Sequence, residues 1–457
     1  MPGLTQALAQ YVAKPGFGSS EAKALAVAQT GFLDTIATMI AGAKEPVVSV
    51  LLKRYAQADL PAESPVPFVG WMRPAIQAAC INAAAAHALD YDDVALSGHP
   101  STVLVPAILA AGHALNVSGK EALRAYVVGY EVWAELVFRE TGQLHIKGWH
   151  PTGVLGTVAV AAAVSYLNKL DAETASRALA IAASMASGLV ANFGTMTKPY
   201  HAGRAAANGI EAVTMAKLGL SASPDVFEHP AGYLKALSVK GEVDVTSAAS
   251  RLGGDPRILE TGLCIKRYPV CYSCHRTIDG VLKLAEEANI KADDVKRVHV
   301  TIGRAQASML RNHHPRTGLE AKFSIEFAVA SALVARDVGL QQLTDEFVNL
   351  PDVSKHFSKI EVSINDKPCP VEPSFSFTDR VQLELNDGRT LDSGDIRFPF
   401  GSANNPLDAA GMKQKFMGCM QAGREAGTVL PCSDADLYQR IMSLQDLPSV
   451  QVLFGKS

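Results

Sequence analysis

The chain has 457 residues, of which 48% are apolar and 19% charged, and a formal net charge of -3. That length exceeds what one compact core holds and implies two or three domains, while the near-neutral balance spreads no basic field and gives no reason to expect nucleic acid. Seven cysteines, odd in number and irregularly spaced, suit a reducing compartment.

Residues 1–6 lack the basic and apolar regions of a signal peptide, so a cytoplasmic protein is expected. Ser20 and Glu21 read as the cap of a helix carrying Leu25, Phe32, Leu33, Ile36 and Ile40, which ends near Gly42. Residues 60–72, rich in Pro and Gly, read as a linker. Pro74 is placed to start the next helix, whose run of alanines allows close packing. That helix ends in Asp90-Tyr91-Asp92-Asp93, three carboxylates at a C-terminus where the macrodipole opposes them. They must be solvated, paired or used.

Further helical patterns begin at Pro100, Ser118, Pro151 and Ala172. The longest apolar run, 154–167, is short for a membrane span, so no membrane is expected. Asn192 to Asn208 then reads as a loop punctuated by Gly and Pro that carries Lys198, His201 and Arg204. Gly203 is expected to open the next helix, so that the loop ends at a helix N-terminus favouring an anion. No strand alternation of any length occurs before residue 290. Beyond it Val298, Val300 and Ile302 alternate with polar residues, as do Val362 and Ile364. Residues 381–391 read as a hairpin turned at Asn386-Asp387-Gly388. The expected fold is mainly α with a smaller α+β domain. Residues 1–264 together with 402–457 are expected to form a discontinuous all-helical domain, and 265–401 a small α+β domain, which the family resemblance described below makes a lid.

Four clusters carry groups able to do chemistry: Asp90 to Asp93 with Gly98-His99-Pro100-Ser101; Gly148-Trp149-His150-Pro151-Thr152; the Lys198/His201/Arg204 segment; and Lys266-Arg267-Tyr268-Pro269 running to His275-Arg276. Each sets a histidine or lysine at the edge of a helix beside Gly or Pro. Cys271-Tyr272-Ser273-Cys274-His275 has the spacing of covalent haem attachment, which requires export and is set aside. No second Cys/His pair supports zinc, and no phosphate-binding or serine-nucleophile motif occurs. What remains is acid/base work on an anion, with fixed cations where charge develops and a neutral histidine to take the proton.

In this order and spacing, Leu89-Asp90-Tyr91-Asp92-Asp93, His99-Pro100-Ser101, Gly148-Trp149-His150, Thr197-Lys198-Pro199-Tyr200-His201-Ala202-Gly203, Tyr268-Pro269 to His275 and Ala321-Lys322-Phe323-Ser324 resemble the MmgE/PrpD family. That family includes 2-methylcitrate dehydratase, cis-aconitate decarboxylase and iminodisuccinate epimerase. The resemblance spans essentially the whole chain. It implies a homodimer and chemistry without cofactor or metal on a small anionic di- or tricarboxylate. It also places catalytic roles on Asp90, His99, His150, Lys198 and His275, and substrate binding on Lys198, His201, Arg204 and Asp93. Asp93, near Asp90, is an alternative to it. Val94 stands where the decarboxylases carry Thr, so the expectation runs first to a hydro-lyase of the dehydratase type, next to an epimerase, then to a decarboxylase. The non-enzyme alternative is a polycarboxylate-binding protein.

Overall fold

The computed structural model describes residues 3–57, 60–140, 142–370 and 375–455. By its internal contacts the chain divides into two units, one of residues 1–191, 196–263 and 410–457, the other of residues 192–195 and 264–409.

The first unit is built of helices whose small residues bring backbones together. Thr197–Lys217 packs against Ala75–Ala88 on one side and Pro151–Leu167 on another. Gly203 is required by the first contact, because a Cβ there would lie 2.5 Å from the carbonyl oxygen of Cys80. The helix Pro151–Leu167 is almost wholly buried, as is Pro100–Leu115, so both are apolar all round rather than striped. Helix Glu21–Lys44 is long and apolar enough to cross a membrane, yet 78% of its apolar window is buried, which makes it a core helix. The helix Ala409–Glu425, near the end of the chain, meets it: Lys415 Nζ is 2.5 Å from Asp34 Oδ1 with both side chains buried. Residues read as a linker instead hold a short antiparallel pair, Ser64–Val66 with Trp71–Arg73. Three-residue strands are too short to show alternation, which is why the sequence gives no sign of them.

The second unit holds a four-stranded sheet in the order Ile360–Asn365, Val295–Gly303, Arg380–Leu385, Thr390–Asp392, the first pair parallel and the others antiparallel. Val298, Val300, Ile302, Val381 and Leu383 are fully buried on one face, where they share a core with His275–Glu287 and Ile325–Ala335. The expected hairpin pairs Leu383 with Leu391 and turns through Gly388 at φ +89°. The fold is thus mainly α with a smaller α+β part.

Candidate active site

The helix Ala75–Ala88 stops because Asp90 takes a left-handed backbone (φ 51°), a conformation Asp tolerates better than most residues. The chain then turns, and the three acidic side chains that follow the helix meet three different fates. Asp90 Oδ1 is 2.7 Å from Lys198 Nζ, with both side chains buried. Asp92, fully buried, receives Nδ1 of His87 at 2.9 and 3.0 Å, and His99 Nδ1 lies 3.0 Å from its Oδ2. Asp93 accepts from Ser101, whose hydroxyl also meets Tyr126 at 2.6 Å. Burial first, then the field of Asp34, pushes the Asp93 carboxyl well above its ordinary range. Asp93 thus meets Ser101, while Asp90 is the one that meets Lys198.

Lys198 is positioned by a helix rather than a loop. Thr197–Lys217 begins at Thr197, so Lys198, His201 and Arg204 are helical, and no helix opens at Gly203. Pro199 sits in the first turn, where its missing N–H is tolerated. On this helix His201 lies 60° around from Lys198, and Arg204 lies 120° away. Arg204 donates to Asn208 at 2.7 Å. Lys198 Nζ also lies 3.0 Å from His87 Nε2.

His99 and His150 each stand immediately before a proline that opens a helix. His99 Nε2 points toward Asp90 Oδ1 at 3.7 Å, and its backbone N–H donates to Thr152. The backbone N–H of His150 donates to Gly188 O, and its Nδ1 faces Nδ1 of His201 at 3.1 Å. Gly188, at φ +132°, leaves room for both rings, since a Cβ there would come within 3.2 Å of His201 and 3.4 Å of His150. The rings of His87 and His150 stack at 5.9 Å, and those of His87 and His99 meet edge-on at 4.5 Å. Burial, with the Lys198 charge behind it, holds His150 well below the usual imidazole range and His201 at about 4. Burial lowers His87 to about 3. His145, a histidine not expected here, is lowered to about 4 by burial and by the charges of His99 and Lys198.

His275 belongs to the second unit. It opens the helix His275–Glu287, is fully buried, and has the rings of Tyr268 and Tyr272 at 5.1 and 5.0 Å.

His87, Asp90, Asp92 and His99 are close enough to offer ligands to a metal ion, their ligand atoms all within 4.8 Å of one another. A metal ion would have to displace the Lys198 ammonium, which already touches Asp90 and His87 as the cation of the group. Sequence reasoning missed His87 and passed over Asp92. The available signal was spacing: His87 lies three residues before Asp90, in the last turn of a helix that closes on Ala83 to Ala86 and Ala88. Chemically, the group sets one ammonium within a few ångströms of a carboxylate and several neutral imidazoles. It can hold an anion near groups that take and return protons.

The chain is 29% identical to human "Cis-aconitate decarboxylase" over 392 residues, covering 83% of this chain and 79% of that one. It is 28% identical to the mouse protein of that name over 395 residues, with 83% and 78% covered. The Aspergillus terreus protein of the same name is 26% identical over 392 residues, with 79% and 78% covered. The model of the MmgE/PrpD N-terminal domain matches residues 6–246 and that of the C-terminal domain matches 268–431, so the chain belongs to the MmgE/PrpD family.

Proposed function

We propose that the protein is a lyase that transfers a proton at a carbon next to a carboxylate of a small di- or tricarboxylate, using its own side chains and no cofactor. The observation that carries this reading is the buried Lys198–Asp90 pair set among His87, His99, His150 and His201. A binding protein needs cations for its anion, but it has no use for several imidazoles held neutral by burial.

In decarboxylation the electron pair of the breaking carbon–carbon bond spreads onto a remaining carboxylate, carbon dioxide leaves, and a histidine that has taken a proton from solvent passes it to carbon. The relatives named above favour that outcome. A second reading, dehydration, rests on the family resemblance, in which Val94, buried and apolar here, stands in place of a threonine of the decarboxylases. There a neutral histidine takes the α-proton, and the hydroxyl departs as water with a proton from a second acid. In either case the Lys198 ammonium stabilises charge that develops on the substrate carboxylate. Incubating the protein separately with cis-aconitate and with 2-methylcitrate, and measuring carbon dioxide release and loss of water, decides between the two. Turnover of neither substrate, nor of other small polycarboxylates, overturns the lyase.

His275 is a catalytic candidate on the resemblance alone. His275→Gln reduces turnover by at least about tenfold if it moves a proton in the reaction. The homodimer that the family resemblance implies is open to sedimentation.

A further inference from the structure

We propose that Asp92 is the positioning residue of this site: by accepting a hydrogen bond from Nδ1 of His87 and holding Nδ1 of His99 at 3.0 Å, it fixes both rings in the Nδ1–H tautomer. It thereby decides which nitrogen each ring presents. This deepens the functional reading above and rests on it for its catalytic consequence, but not for the tautomers themselves.

The chain of donors and acceptors closes without reference to any substrate. An ammonium has only N–H bonds to give, so His87 Nε2, at 3.0 Å from Lys198 Nζ, must supply a lone pair. A ring whose Nε2 bears no proton is neutral only if Nδ1 carries one. That Nδ1 lies within 3.0 Å of both Asp92 oxygens, which as a carboxylate can only accept. The second ring follows the same rule, with His99 Nδ1 at 3.0 Å from Asp92 Oδ2. Burial opposes charge on Asp92, but the Nδ1–H of His87 donates to both of its oxygens, and its carboxyl stays well below the ordinary range. Both rings are thus turned by one buried carboxylate. His87 presents its Nε2 lone pair to Lys198 and, with Asp90, fixes where that ammonium sits. His99 presents Nε2 as its basic atom, with Asp90 Oδ1 at 3.7 Å to stabilise the imidazolium once a proton arrives. Where a buried aspartate sets the tautomer of a catalytic histidine in serine proteases, its change to asparagine lowers kcat by about 10⁴ with the geometry intact.

The direct test is ¹⁵N-labelled histidine in the unmodified protein at pH 7, without substrate, read by two-bond nitrogen–proton correlations. His87→Gln and His99→Gln each remove one set of signals and so assign them. Both rings are expected as Nδ1–H tautomers. Either ring found as Nε2–H, or His87 found doubly protonated, overturns the proposal whatever reaction the protein catalyses. Asp92→Asn supplies the kinetic arm, because it removes the negative charge and puts a donor NH2 where one accepting oxygen stood. With the substrate that the wild type turns over, kcat is expected to fall by at least about 100-fold with KM within about threefold. Equal losses in Asp92→Asn and Asp92→Leu support tautomer control. An Asp92→Asn protein with unchanged kcat contradicts it. Should no polycarboxylate be turned over, the lyase reading fails while the tautomer result stands by itself.

Discussion

Lys198 carries the largest share of the account at the level of single residues. Its charge is buried and meets Asp90 at 2.7 Å, so a substrate carboxylate that shares this ammonium gains a charge-assisted contact in a dry site. Lys198→Ala is expected to lower kcat/KM by about 10²–10³ while the fold survives, since a small side chain replaces one end of a helix N-terminus. Steady-state kinetics with circular dichroism as the folding control check this. His87 gives a pH prediction of definite sign. Burial lowers its folded pKa to about 3, so the ring stays neutral as pH falls from 8 to 5, and its ring-proton resonances hold still over that range. In the unfolded chain the same ring takes up a proton below about pH 6.5. The stability this ring contributes is therefore present above that pH and is lost as pH falls, by about 1.4 kcal/mol per unit, toward the folded pKa. Denaturation of wild type and His87→Gln at pH 7 and 5.5 is expected to show a gap that narrows at the lower pH.

At the level of elements, close packing rather than loop chemistry places the lysine. Gly203 lets Thr197–Lys217 lie against Ala75–Ala88, and that contact brings Lys198 to the end of the other helix where His87, Asp90 and Asp92 project. Gly203→Val is expected to destabilise the protein by about 1–3 kcal/mol through overpacking, with a thermal melt as the measurement. Gly188→Ala is a gentler probe, since it crowds His150 and His201 from a backbone that disfavours a side chain. The prolines after His99 and His150 made two site histidines legible in the sequence, because a helix start is a local signal. Lys198 was legible by residue type, but its helix was not: Pro199 and Gly203 look like breakers until the neighbouring helix that needs them is in view. His87 was hidden for the opposite reason. A histidine in a run of alanines looks like core, and only the turn at Asp90 and the approach of Lys198 give it work.

On the scale of the whole molecule, the return of the chain's last segment to the helical unit was legible because two short helices cannot bury their own faces. The pairing that secures it was not, since Asp34 and Lys415 are 381 positions apart and each looks ordinary alone. Both are buried, so Lys415→Ala leaves a carboxyl without its cation and is expected to cost about 3–5 kcal/mol, read by urea denaturation. The acidic cluster gains from the same helix, because Lys415 Nζ also reaches the carbonyl of Tyr91 at 2.8 Å. The central claim is that this cluster moves a proton at carbon next to a carboxylate. Its most direct test is incubation of wild type, His99→Gln, His150→Gln and Lys198→Ala with small polycarboxylates in deuterium oxide, following deuterium at carbon by NMR. Wild type is expected to place deuterium next to a carboxylate of its substrate or product, and at least one histidine variant and Lys198→Ala are expected to lose this activity. Wild-type protein that exchanges no such position in any of them, or variants that all exchange at the wild-type rate, would contradict it.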